Sequence, residues 1–282
     1  MKKIVVPTDF SANAMKAVNY SAEIARRTGA SIYLVHVIEP ITDKILQPYP
    51  LDERLHEEVA VARLKEMKML GATLGEAYPD LTFITELAKG PVKTAITDFA
   101  ENLEADLIVM GTQGASGLKE VFLGSVTGGT IERAKIPVLA IPFEYLMERP
   151  DTLVFATNKF AHNREILDKI IELASLFDAA VHVVVFVDTD TSTSIEYIEN
   201  QKQLNQYIDF LKATYPAISF KGDLLDGKKF EESLEQYDRK HEIDIIAIIT
   251  YPKSFWDKLL KKAVAKKMAF HSKIPVLAIP AK

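Results

Sequence analysis

Short runs of apolar and β-branched residues recur at 3–7, 31–38, 82–88, 106–111 and 136–141, each of strand length. Between them the apolar positions take a helical period. Met15, Val18, Ala22 and Ala25 fall on one face of a helix, and Leu51, Leu55, Val59 and Ala62 form a stripe on the next. A further helix is predicted from about 125 to 134, ahead of the strand at 136. The strands are apolar throughout rather than alternating. That predicts an α/β fold with a parallel sheet covered by helices on both faces. In such sheets ligands bind beyond the carboxyl ends of the strands, where the winding direction reverses.

The pattern is written twice. Ile-Pro-Val-Leu-Ala-Ile-Pro occurs at 136–142 and again at 274–280, an offset of 138. Ala105–Val109 matches Ile243–Ala247 at the same offset, and Tyr78-Pro79 through Gly90 matches Tyr215-Pro216 through Gly227 at 137. Ile4–Asp9 matches Leu153–Asn158, and Gly29–Val37 matches Asp178–Phe186, both at 149. One deletion of about twelve residues after the second strand of the second copy reconciles these offsets. Two tandem doubly wound domains are predicted, 1–146 and 151–282, each a five-stranded parallel sheet flanked by helices. In the second copy Ile166, Ile170, Leu173 and Phe177 repeat the first helical stripe.

A chain of 282 residues with 48% hydrophobic content suffices for two such cores. The absence of cysteine excludes disulfides, thiolate metal sites and cysteine nucleophiles. No apolar run reaches the roughly 18 residues of a spanning helix, and the apolar stretch after Met1 is too short for a signal peptide. No membrane association is expected, and the chain reads as cytoplasmic. A net charge of -5 gives no reason to expect nucleic acid binding.

Candidate chemistry concentrates in one place. Ten of the twelve glycines lie in the first copy, six of them between 111 and 129. The order is Met110-Gly111-Thr112-Gln113-Gly114, nine residues, then Gly124-Ser125-Val126-Thr127-Gly128-Gly129-Thr130. Glycines let the backbone approach a ligand, a following helix start offers amides and partial positive charge, and hydroxyls add donors, which together suit phosphate. The spacing is not a Walker loop, because Gly124 is followed by Ser125 rather than lysine. Nor is it a dinucleotide fingerprint, since Pro7-Thr8-Asp9-Phe10-Ser11 follows the first strand. An ordinary surface loop is the competing reading.

The G-x-x-G, nine residues, G-[ST] pattern after a strand ending in Val-Met resembles the ATP-binding motif of the universal stress protein family. The opening Ile-Val-Val-Pro-Thr-Asp-Phe-Ser, the Leu-Val-His-Val at 34–37 and the Ile-Pro-Val-Leu-Ala-Ile-Pro strands are similar to that family as well. The resemblance implies a tandem member in which ATP, or AMP or ADP, is held by the first domain, with magnesium on the phosphates. It places Pro7, Thr8 and Asp9 at the adenosine end and Val37 against the adenine. Met110 and Gly111 would wall the ribose, and Gly114, Gly124, Ser125, Val126 and Thr127 would hold the phosphates. Asp9 could instead cap the first helix, with Ser11 as the competing capper. The family's role would be regulatory, with an unknown protein partner in the stress response. The two last strands could pair within the chain as a pseudo-dimer, and a homodimer is a further possibility.

The second copy departs from the motif. Gly111 becomes Ile249, Gly114 becomes Pro252, Gly124 becomes Lys262, Ser125 becomes Ala263, Asp9 becomes Asn158 and Pro7 becomes Ala156. No nucleotide site of the same design is expected there. The basic segment 255–268 reads as a sheet-packed helix with a solvated lysine face, and His36 and His182 as core or near-core residues. An alternative function is a slow ATP hydrolase or phosphotransferase, which lacks an identifiable second carboxylate or lysine beside the cradle. Another is a nucleotide-free scaffold for partners or small ligands. The segment 40–52, with Pro40, Pro48 and Pro50, is either a neutral insertion or a nucleotide-linked lid.

Overall fold

The computed structural model describes residues 1–39, 53–112, 124–146, 148–251 and 273–281. The described chain falls into two compact units that divide between Phe143 and Glu144. The first runs β1 (Lys3–Pro7), α1 (Ala12–Thr28), β2 (Ser31–Ile38), α2 (Glu53–Ala77), β3 (Phe83–Lys89), α3 (Val92–Asn102), β4 (Leu107–Gly111), α4 (Ser125–Arg133) and β5 (Val138–Ile141). Its strands are parallel in the order β3-β2-β1-β4-β5. The chain winds outward from β1 to β3, then crosses back for β4, so the winding reverses between β1 and β4.

The second unit contains β6 (Thr152–Ala156), α5 (Arg164–Phe177), β7 (Ala180–Asp188), α6 (Ser194–Thr214), β8 (Phe220–Gly227), α7 (Phe230–His241), β9 (Ile245–Thr250) and β10 (Val276–Pro280). Its strands are parallel in the order β8-β7-β6-β9-β10, with the reversal between β6 and β9.

The strand periodicity is used on both faces. Val5, Val35, Ile108, Met110 and Val138 pack with Ile96 and Ala100 of α3 in one cluster, while the alternate positions Ile4, Val6, Leu34, Val109 and Leu139 are equally buried. α1 starts on Ser11, whose hydroxyl accepts the Ala14 amide, and ends at Gly29 with φ 72. Four of its nine buried residues are alanines, Ala14, Ala17, Ala22 and Ala25, small side chains that let the helix lie close to the sheet. In α5 the expected Ile166, Ile170, Leu173 and Phe177 are all buried. Asp106 and Asp244 do the same work in the two units. Asp106 accepts the amides of Lys2 and Lys3 at 2.6 and 3.0 Å, and Asp244 those of Asp151 and Thr152 at 2.8 Å each.

The stripe expected on α2 is corrected in part. Ala62 is exposed and Val59 half-buried, whereas Met67 and Leu74 are the buried residues. Leu51 and the side chain of Leu55 lie outside the described residues. The face runs from Val59 through Arg63 to Met67, and Arg63 places its guanidinium over the Phe10 ring, 5.9 Å from the centroid. An arginine with a half-buried stem reads as polar in sequence, so the apolar pattern points to Ala62, one residue before the position that faces inward.

His36 and His182 are both half-buried and hydrogen-bonded. His182 Nδ1 lies 3.0 Å from Tyr237 Oη, and that hydroxyl donates to Asp223 Oδ2 at 2.6 Å. Asp223 also pairs with Lys221 at 3.0 Å, and the His241 ring lies 5.5 Å from that of His182. Burial first, then Lys221 and His241, hold the His182 pKa below its ordinary value, against a smaller opposing pull from Asp223. The unfolded chain therefore binds more protons than the folded one just below the ordinary histidine pKa of about 6.5. Stability of the second unit is full above that pH and falls as the pH drops through the depressed folded pKa. Amide exchange of β7 and α7 at pH 7.5 and 5.5 should show earlier opening in acid, and His182→Gln should flatten the difference. The same acid response in the variant would place the effect on another group.

Candidate functional site

Two chain segments leave the sheet on either side of the reversal in the first unit: the turn after β1 and the connection after β4. Val5 lies opposite Ile108, so Pro7 and Met110 reach the strand ends at one level. This is where an open parallel sheet offers a crevice.

The first lip is built on Thr8 and is pinned on three sides. Its amide donates to Val35 O at 2.9 Å, its carbonyl accepts from His36 Nδ1 at 2.8 Å, and its hydroxyl oxygen accepts the Phe10 amide at 3.1 Å. Buried and so engaged, Thr8 shapes the loop. Asp9 next to it is exposed, with Oδ1 accepting the Ser11 amide at 3.0 Å. Ser11, not Asp9, caps α1. Phe10 has φ 64, a left-handed conformation that costs a bulky residue about 1–2 kcal/mol. Its ring contacts His36 at a centroid distance of 4.8 Å, with Arg63 above, and these contacts offset the strain. The sharp turn leaves the Asp9 carboxylate on the surface at the strand end.

The second lip begins at Gly111. A Cβ there would meet Asn13 of α1 at 2.6 and 2.7 Å on its side chain and at 2.9 Å on its backbone oxygen. This glycine is required by helix packing, a reason separate from any ligand. Met110 is buried in the core cluster, so its side chain supports the crevice floor from below. Gly124 returns the chain to the same place, its amide donating to Thr112 O at 2.5 Å. Thr127 is buried and donates its hydroxyl to Gly111 O at 2.7 Å, tying the first turn of α4 to the end of β4.

Gly124 is the N-cap of α4 with φ −52 and ψ 147, a conformation open to any residue. It offers no side-chain cap, so the first-turn amides of Ser125, Val126 and Thr127 have no side-chain acceptor at the cap. Ser125 is exposed beside them. Val126 and Val37 are half-buried against the same core cluster, which brings the first turn of α4 and the end of β2 to one side of the crevice. The structure thus gathers Pro7, Thr8, Asp9, Val37, Met110, Gly111, Gly124, Ser125, Val126 and Thr127 around one strand-end region. Gly114 lies outside the described residues, as do Pro252, Lys262, Ala263, the basic segment 255–268 and the segment 40–52. Phe10, Asn13 and His36, which hold the first lip, are not singled out by the motif. The sequence signal for His36 is its place in Leu-Val-His-Val. Among the described residues no group of three His, Asp or Glu side chains is placed to hold a metal.

The corresponding region of the second unit is built on the same backbone plan and filled differently. Thr157 repeats Thr8, its amide bonded to Val184 O at 3.0 Å and its hydroxyl oxygen accepting the Lys159 amide at 3.2 Å. From there the plans diverge. α5 begins at Arg164, whereas the residue aligned with Ala12 is Ala161, and this later start accompanies the replacement of Gly111 by Ile249. The two lips touch, with Lys159 Nζ over the Tyr251 ring at 4.6 Å. Burial raises the Tyr251 pKa. Behind them His162, Phe160, Tyr207 and Phe210 form an aromatic cluster, and Tyr207 Oη donates to Ala161 O at 2.7 Å.

Residues 1–142 match the model of the universal stress protein family. A universal stress protein of Methanocaldococcus jannaschii is 34% identical over 144 residues, covering 50% of this chain and 81% of that protein. One from Thermus aquaticus is 32% identical over 143 residues, covering 50% of this chain and 98% of that protein. The crystal structure of a universal stress protein from Archaeoglobus fulgidus superposes with a TM-score of 0.75 at 16% identity, covering 99% of this chain and 98% of that one. That likeness extends the fold over the whole length. Family model, relatives and fold agree, and the chain belongs to the universal stress protein family.

Proposed function

We propose that the first unit, within residues 1–146, binds an adenine nucleotide at the winding reversal and that the chain is a nucleotide-responsive regulator in the cytoplasmic stress response. The observation that carries this reading is Gly124-Ser125 at the start of α4. The backbone there does not require glycine, no side chain among the described residues caps the first turn, and an exposed hydroxyl sits beside its amides. Such a helix start accepts phosphate oxygens on its N–H groups and favours negative charge. Across the reversal, Asp9 is exposed where its carboxylate can accept from a ribose hydroxyl or an adenine amino group. Val37 supplies an apolar surface for the base. Magnesium would be held through the phosphates, which neutralise it without a protein ligand cluster. Occupancy would alter the surface offered to a protein partner. The second unit, with lips in contact and Ile249 in place of Gly111, serves as a scaffold in this reading.

Calorimetry with ATP should give one nucleotide per chain; two equivalent sites would contradict the assignment of the second unit. Gly124→Val should abolish binding with little change in melting temperature, because φ −52 suits valine and the added bulk enters the phosphate space. Parental affinity in that variant would remove phosphate from the start of α4. Ser125→Ala should weaken ATP binding by about 1–2 kcal/mol, the loss of one hydrogen bond to a charged group, in the same titration.

A further inference from the structure

α3 opens with a lysine where a helix normally favours the opposite charge. Lys93 is the second residue of α3, and the first turn holds no acidic residue. A cation there opposes the helix dipole. Lys93 is half-buried, and among the described residues no carboxylate forms an ion pair with it. Glu39 reaches the α3 terminus only through the Val92 amide, at 3.4 Å. The lysine is instead laid on α4. A Cβ on Gly129 would sit 2.8 Å from Lys93 Cε and 3.1 Å from Nζ, so the bare glycine makes the bed for this side chain. Cβ bonds tilt toward a helix's start, so atoms in that position lie over the turn that Ser125 opens, four residues earlier on the same face.

The second unit does not keep this lysine. At the offset of 137 that aligns Gly90 with Gly227, Lys93 is replaced by the buried Phe230, followed by Glu231 and Glu232. Gly129 aligns with Lys267 at the offset of 138. The lysine and its glycine bed thus occur in the copy with the phosphate motif and are both replaced in the copy without it. The sequence reading found no lysine beside the cradle; Lys93 belongs to another helix and lies against α4 at Gly129.

We propose that Lys93 is a specificity-determining residue whose ammonium group neutralises the outer phosphates of the nucleotide, so that the crevice prefers di- and triphosphates to the monophosphate and the nucleoside. This rests on the nucleotide reading above. Its test uses the full chain titrated with ATP, ADP, AMP, adenosine and inorganic tripolyphosphate at one fixed salt concentration, in the parent and in Lys93→Gln, Lys93→Arg and Gly129→Ala. Lys93→Gln should lower affinity for ATP and ADP about tenfold or more and leave adenosine unchanged, while Lys93→Arg keeps the preference. Gly129→Ala displaces the flexible lysine yet favours the helix, so it should reproduce the loss without lowering the melting temperature. An unaltered ATP-to-adenosine ratio in Lys93→Gln, whether both affinities persist or both fall, overturns the proposal. A parent that binds no adenine nucleotide defeats the nucleotide reading separately. Tripolyphosphate then decides for Lys93: binding that Lys93→Gln abolishes supports an anion-directed role, and absent or unaffected binding overturns it.

Discussion

The first unit is organised by how closely α1 approaches the end of β4. Asn13 occupies the space that any side chain at Gly111 would need. That contact fixes where α1 begins, and the start of α1 fixes everything before it. Ser11 must cap the helix, Phe10 must turn through a left-handed conformation to reach it, and Asp9 is left exposed at the strand end. The same glycine offers its carbonyl to Thr127, so the start of α4 is registered against the start of α1 through one residue. The turn after β1, the end of β4 and the start of α4 are thus held together by the protein's own packing and hydrogen bonds.

In the second unit that close approach is given up. With isoleucine at 249 the helix begins later, the residue aligned with Asn13 is the exposed His162, and aromatic side chains from α6 pack behind the loop. Thr157 still makes two of the three loop bonds that Thr8 makes, its amide to the neighbouring strand and its hydroxyl to the amide two residues on, because these belong to the strand end and its turn and not to the site. Backbone geometry has been retained while the volume at the strand ends has been reassigned to packing.

Much of this was legible in the sequence, and the limits have physical causes. Strand positions emerged because strands buried on both faces read as continuous apolar runs. Their ends were less readable, since Asp106 and Pro137 brace the strand starts through side-chain and carbonyl bonds instead of pairing as ladder residues. The stripe on α2 slipped at Arg63, a half-buried arginine that reads as polar in sequence. The cradle was visible because its residues are close in sequence. Phe10 on His36, Asn13 on Gly111 and Lys93 on Gly129 join elements far apart in the chain, and no local spacing encodes them. The glycines also proved to have distinct causes: Gly111 and Gly129 make room for protein side chains, and Gly124 has a φ and ψ that any residue can adopt.

The bond from the Gly124 amide to Thr112 O closes the connection after β4 at its base. With both ends held there, the length and composition of 113–123 are uncoupled from the geometry of β4 and α4. Closing a longer or shorter segment changes the free energy only slowly with length. This connection is therefore the point where the fold can be re-specialised by segment exchange, while the sheet and the start of α4 keep their register.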